Sequence, residues 1–551
     1  MFAPQNQTPS TIDAISGSLT EWYNQVDDAI KVSEIIPGNY EYTTATSYGN
    51  VGDINEGDTT FVDIFCDRFK IISIDNSFIT LKQIIPIHIP DQSNLKFTEY
   101  YVGYKFSADC IDHYRMYSNT DKIIDQHHAR YEWFMFYNSL SDEVKRCSDC
   151  FATLDKIRHH STAVPGVYID VSSIKKTTTT GDNASSITYG ENGADITVEI
   201  PLRIPISCFL SLFDLRYYPN WAGKLSIELM PTYQNLVIAP VISDSDFKDV
   251  YNTVSTNYDT DLGFRNINET VKNNIKITTE TDGTTYSPMD AGQKFECNTQ
   301  TTKDVKIKLA TYLLQMDVFN SLAARYIQVP MLFPIHVVQV RDFTQPLGTK
   351  STYNTAATIG LKHCDTLFCV FRQSQYSRTC FVNPQIKYSF NVDGKFYPRE
   401  PYKTVDDAKH VNMTFDALNV NNSLLTSVSK DISTSMQPYY YVHKYTLDKS
   451  DKITCSDIKK YHGLDNSNFF IGIPFADSTD FMGGISTTGT VQIELMGDRV
   501  EEEDNITNFI APTGIYFEDA LMKIRAMKPD GRSQIEITNA TIEQIIAGAA
   551  K

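Results

Sequence analysis

The segments "GKLSIELM", from Gly223 to Met230, and "GTVQIELM", from Gly489 to Met496, agree at five of eight positions. In each, a glycine breaks the preceding segment, apolar residues then alternate, and one glutamate stands between Ile and Leu. That spacing predicts a strand leaving a turn, with successive side chains facing a core and then the outside. A chain of 551 residues exceeds what one hydrophobic core ordinarily supports, so two large domains are expected. A strand written twice then points to one domain plan used twice.

The flanking sequence extends the correspondence. Each copy follows an Ile-Pro-apolar step, at Ile200–Leu202 and at Ile473–Phe475, and precedes a further apolar run, "DVKIKLATYLLQM" or "GIYFEDALMKIRAM". The 32 Tyr and 30 Phe, with abundant Thr, Ile and Val, favour β structure. Runs such as "TTFVDIFCDRFKIIS", "FITLKQIIPIHIP" and "YYVGYKFSADCIDHYRMYS" predict closely spaced strands of a sandwich or jelly roll from about Ile36. A second such series opens near Leu332.

Two segments read as helices. Ile12, Ile15, Leu19, Trp22, Val26 and Ile30 fall three or four apart behind a Ser10/Asp13 capping box. Such a helix is either an arm that docks on a neighbouring subunit or lipid surface, or one packed on its own domain. As an arm, its removal with residues 1–32 would leave the rest of the chain folded and impair only its docking on a neighbour. Leu140, Val144, Cys147, Phe151 and Leu154 predict a second helical stripe between strands. Polar tracts at about 175–190 and 243–302 read as surface loops.

Charge and motifs exclude several functions. The net charge is −18, and the first 32 residues carry one basic side chain, Lys31, against Asp13, Glu21, Asp27 and Asp28, the reverse of a phosphate-gripping arm. The start "MFAPQNQTPS" lacks a charged and then apolar leader, and no run is long enough to span a bilayer, so the chain reads as soluble and unsecreted. The ten Cys follow no compact spacing and read as free thiols.

Cys147-x-x-Cys150 with His159 and His160 lacks the second Cys pair of a structural zinc site, and His127 and His128 complete no metal set. "GTKST" at Gly348–Thr352 lacks the upstream glycine of a phosphate loop. Asn412-Met413-Thr414 fits a glycosylation pattern by chance in a chain without a leader. The sequence therefore assigns no catalytic, cofactor-binding or metal residue.

At "IPLRIPISCFLSLFDLRYYPNWAGKLSIEL", with "YVGYKFSADCIDHYRMYSN" and "FMGGISTTGTVQIEL", the chain resembles double jelly-roll major capsid proteins of Polinton (Maverick) elements, polinton-like viruses and virophages, and more distantly adenovirus hexon. The resemblance implies an all-β fold of two consecutive eight-stranded jelly rolls with short inserted helices and long loops. It divides the chain into an arm at 1–35, a first roll at 36–320, a second at 321–528 and a tail at 529–551. It further implies a homotrimer presenting six rolls as a pseudo-hexagon, a virion location after assembly inside the host cell, and an icosahedral shell around double-stranded DNA. Penton and minor capsid proteins are the implied partners, an internal membrane is one the resemblance admits, and no specific nucleic-acid binding is expected. The tail "NATIEQIIAGAAK" reads as a short helix from about Thr541 whose end is either frayed or a small-residue cleavage site. The competing function is a multidomain β-sandwich that binds carbohydrate or serves attachment, for which Tyr-rich runs such as "QPYYYVHKY" would supply aromatic faces.

Overall fold

The computed structural model describes residues 11–33, most of 40–241, four two-residue strands between 265 and 297, most of 299–418 and most of 469–538. Sixteen strands carry the architecture. In the first half they are β1 (Tyr40–Thr46), β2 (Thr60–Ile64), β3 (Lys70–Ile89), β4 (Ile111–Ser118), β5 (Asp121–Gln126), β6 (Ala194–Pro205), β7 (Leu225–Pro231) and β8 (Thr301–Leu313). In the second they are β9 (Met331–Asp342), β10 (Thr352–Ile359), β11 (Cys364–Val370), β12 (Ile386–Val392), β13 (Lys395–Lys403), β14 (Phe470–Pro474), β15 (Val491–Arg499) and β16 (Thr513–Ile524).

The first half pairs them as β1-β8-β3-β6 and β2-β7-β4-β5, and the second as β9-β16-β11-β14 and β10-β15-β12-β13. Adding eight to every strand of the first half gives the second. Two four-stranded antiparallel sheets with this order are a jelly roll, so the chain holds two. The twice-written strand is β7 in one and β15 in the other, and the Ile-Pro steps fall in β6 and β14.

The alternation in the repeat does the same work in both places. Ile227 stands between Val62 and Met116, and Ile493 between Ala357 and Val392, and both isoleucines are fully buried, as are Leu229 and Leu495. The glutamates point the other way and meet the neighbouring strand. Glu228 accepts from Tyr117 Oη at 2.9 Å and Arg115 Nη1 at 3.4 Å, and Glu494 from Asn391 Nδ2 at 2.9 Å. Such cross-strand pairs fix register, since a one-residue slip would turn the isoleucines outward.

The first helix, α1 (Thr11–Ser33), lies against the chain's own body over its second half. Trp22, 1% exposed, meets the Trp221 ring edge-on at 5.9 Å, Val26 and Ala29 are buried, and Tyr217 Oη donates to Asp27 Oδ1 at 2.8 Å. Ser33 Oγ accepts the Gln315 amide at 3.2 Å, just before α4 (Met316–Gln328), the link between the rolls. Trp22, Val26, Ala29 and Ser33 therefore pack one face of α1 onto the chain's own core.

The stripe expected from Leu140 to Leu154 is not one helix. α2 spans Arg130–Ser139 and α3 spans Asp142–Cys147, while Phe151 forms a β-bridge with Phe106. The apolar period continued past the helix because Phe151 is buried by stacking on Phe106 at 4.9 Å. The polar tracts also contain anchored points: Glu296–Cys297 pairs with β3, and Arg265–Asn266 with Val237–Ile238. Beyond β16, Ile535–Thr538 (β17) adds antiparallel to residues 521–524, with Ile535 buried against the first roll. The expected tail helix, "GTKST" before Thr352 and "QPYYYVHKY" lie outside the described residues.

Candidate functional site: the seam between the two rolls

α2 is where the two cores meet. Its sequence "RYEWFMFYNS" sets large apolar side chains on opposite sides of the helix, and Tyr131 to Asn138 are all buried. A helix buried on every side needs partners on every side. Trp133, Phe136 and Tyr137 enter the core of the first roll, while Tyr131, Phe134 and Met135 enter that of the second. Trp133 lies edge-on to Phe209 at 5.2 Å and donates Nε1–H to the Ile111 carbonyl at 3.0 Å. Phe134 meets Phe381 at 4.5 Å and Phe470 at 5.7 Å. From the other side, Met331, Phe333, Ile335, Met522 and Ile524 of the second roll pack into the first roll's core.

A polar relay crosses at the same place. Arg130 Nη1 donates to Asp112 Oδ1 at 3.1 Å and Nη2 to Tyr131 Oη at 3.2 Å, with the guanidinium 4.5 Å from the Tyr131 ring centre. Tyr131 Oη lies 3.1 Å from Thr513 Oγ1, which donates to Asp342 Oδ1 at 2.5 Å. The relay joins β4 of one roll to β16 and β9 of the other. Hydrogen bonds add direction to apolar contact, so the seam fixes the angle between the rolls as well as their distance.

Two further buried carboxyls support α2. Glu132 accepts Tyr114 Oη at 2.9 and 2.8 Å. Asp109 accepts the Phe106 amide at 3.0 Å, and burial raises it to about 7 although that amide, Lys105 and Arg130 oppose the rise. The Lys105 ammonium sits 5.4 Å from the Tyr137 ring. Neither carboxyl was singled out in the sequence, because the fold buries both and Glu132 meets its partner on strand β4.

The residues considered for chemistry are scattered. Cys147 is exposed at the end of α3 and Cys150 is buried in the following turn. His160 stacks edge-on to Tyr168 at 3.9 Å, and His159 lies outside the described residues. Burial pushes the Cys150 thiol up to about 11 and those of Cys208, Cys364 and Cys369 well above their usual value, which keeps them protonated and poorly nucleophilic. In the sequon, Thr414 is buried in α5 (Ala408–Ala417) and donates to the His410 carbonyl at 3.0 Å.

Among the described residues, two histidine and carboxylate groupings emerge only from the fold. His127 stacks on His113 at 4.1 Å, and His113 Nε2 lies 2.7 Å from Asp125 Oδ1. Arg115 at 3.1 Å and Lys122 at 2.6 Å also hold Asp125 and drive its carboxyl well below the usual range despite opposing burial. That carboxylate is already neutralised and a poor cation ligand. The second grouping is His336, Asp365 and Asp519, on three adjacent strands of the second roll.

No family profile matches the sequence, and no curated protein is similar to it. Among solved structures, the chain is similar to the mavirus major capsid protein, with a TM-score of 0.49 and 9% identity over 92% of each chain. It is similar to a chain of the Sputnik virophage structure, with a TM-score of 0.42 and 8% identity over 92% of this chain and 89% of that one. For the Faustovirus major capsid protein the values are 0.40 and 9%, over 88% and 90%. Independently of these likenesses, the two matching strand orders on either side of a shared buried helix make the chain a double jelly roll.

Proposed function

We propose that this chain is a major capsid protein, a structural subunit that trimerises into pseudo-hexameric capsomers and assembles an icosahedral shell around double-stranded DNA. The observation that carries the reading is the repeated strand order held rigid at the α2 seam. One chain supplies two like units side by side, so three chains supply six and can tile a sixfold lattice without six identical subunits. Jelly rolls also leave few unpaired strand edges, which suits a protein made in many copies.

The charge of −18 argues for a shell that encloses nucleic acid without gripping its phosphates. The buried, protonated thiols support a structural role over a catalytic one. Penton and minor capsid proteins are the expected partners, and the virion the expected location. The test is the solution mass of the purified full chain by light scattering, with negative-stain imaging of the same peak. A particle three times the 62.4 kDa of one chain, with a hexagonal outline, is expected. A monomer at assembly concentrations would overturn the reading and favour the attachment protein.

A further inference from the structure

β9, β16 and β11 lie side by side in the second roll, and their register sets His336 directly opposite Asp519. On the third strand the ladder steps from Cys364 opposite Glu518 to Thr366 opposite Phe517, so Asp365 sits in a bulge outside the regular pairing. Bulges re-aim side chains, and here the result is one imidazole and two carboxylates whose ligand atoms all lie within 4.8 Å of one another. His336 Nδ1 is 3.4 Å from Asp519 Oδ1, and Asp519 is 3% exposed.

The bulge is held in place rather than loose. Cys364 exchanges backbone hydrogen bonds with Ile485 at 2.9 and 2.8 Å, and the Asp365 carbonyl accepts the Phe475 amide at 2.6 Å. Gly484 passes so close that a Cβ there would lie 2.2 Å from the Cys364 carbonyl oxygen. Within this frame Asp365 Oδ1 is fully buried and has no hydrogen-bond partner. A buried carboxylate oxygen without a donor is costly. Two close carboxylates facing one imidazole present one nitrogen and two oxygens to a common point.

We propose that His336, Asp365 and Asp519 form a binding site for a divalent transition cation, which clamps the three strands β9, β16 and β11 together. One nitrogen and two oxygens suit a zinc, cobalt or manganese ion better than the all-oxygen preference of calcium or magnesium. Three protein ligands leave a position for water, and the His336 side chain, 42% exposed, marks the open side. The Asp125 grouping differs in having Arg115 and Lys122 on its carboxylate.

The test uses Co2+ as the probe on the full chain freed of metal by chelation and dialysis, followed by visible absorption and thermal melting. One bound Co2+ per chain is expected, with d–d absorption, no thiolate charge-transfer band and a raised melting temperature. Asp365→Asn should weaken binding at least about tenfold and cancel the rise on Co2+ addition. Because that variant also replaces a carboxylate whose Oδ1 is buried without a hydrogen bond, its metal-free form should melt no lower than the metal-free wild type, which separates lost ligation from lost folding. His113→Ala should bind Co2+ as the wild type does. Absent binding, a thiolate band, or equal binding by Asp365→Asn would each overturn the site.

Discussion

At the residue scale, Asp109 shows how the seam couples to pH. Its ordinary carboxyl value is 3.8 and its folded value about 7, so between these the unfolded chain has released a proton that the folded chain still holds. Stability contributed by this residue therefore falls as pH rises from about 4 to about 7 and is level above that. Asp109→Asn keeps an acceptor for the Phe106 amide and removes the titration. The melting temperature of the variant relative to wild type should rise across that window and then level, which thermal melts at a series of pH values would read; parallel curves would refute the assignment. Asp109 is invisible in the sequence as a special group, since "SADC" resembles any polar turn and its burial is a product of the fold, with Arg130 and Asn235 brought to it from distant positions. By contrast, Glu228 and Glu494 were legible, because a lone charge in an alternating strand has to face away from the core.

At the element scale, what could be read depended on one-sided burial. The alternation in β7 and β15 marked both strands and their shared place because each has one core face. α2 carries no such stripe: with aromatic residues meeting both rolls, its "EWFMFY" has no polar side and gives no helical period. The bulge at Asp365 and the His113 and Asp125 pairing were likewise out of reach, since register joins residues from separate strands. α1 had the right periodicity, yet periodicity names a buried face and not its partner. Its partner is the chain itself, so the arm reading yields a different expectation. Trp22→Ala should cost ~3–5 kcal/mol, measured by denaturant unfolding, and deletion of residues 1–33 should lower the melting temperature before any effect on assembly. A deletion variant that melts as the full chain does would return α1 to the role of an arm.

At the scale of the whole molecule, the seam turns two domains into one body, and the value of that depends on what is built from it. A capsomer with pseudo-sixfold outline requires the angle between the rolls to be the same in every copy, and α2 with its relay sets that angle. Phe134→Ala opens a cavity between Phe381 and Phe470 and should destabilise the chain by ~3–5 kcal/mol. If the rolls are stable separately, the loss should appear as an early transition in calorimetry while each roll melts later. If the seam holds the whole fold, one transition should simply shift down. Either result leaves a subunit whose net charge of −18 repels its neighbours. If the chain builds shells as proposed, apolar contact must overcome that repulsion, and salt screens it over about 10 Å at about 0.1 M. Shell yield, followed by light scattering, should therefore rise with ionic strength and fall with pH moved further above the isoelectric point near 5.1. Assembly favoured by low salt would instead mean that complementary charges hold the subunits together, and the contacts between capsomers would then have to be sought among charged faces.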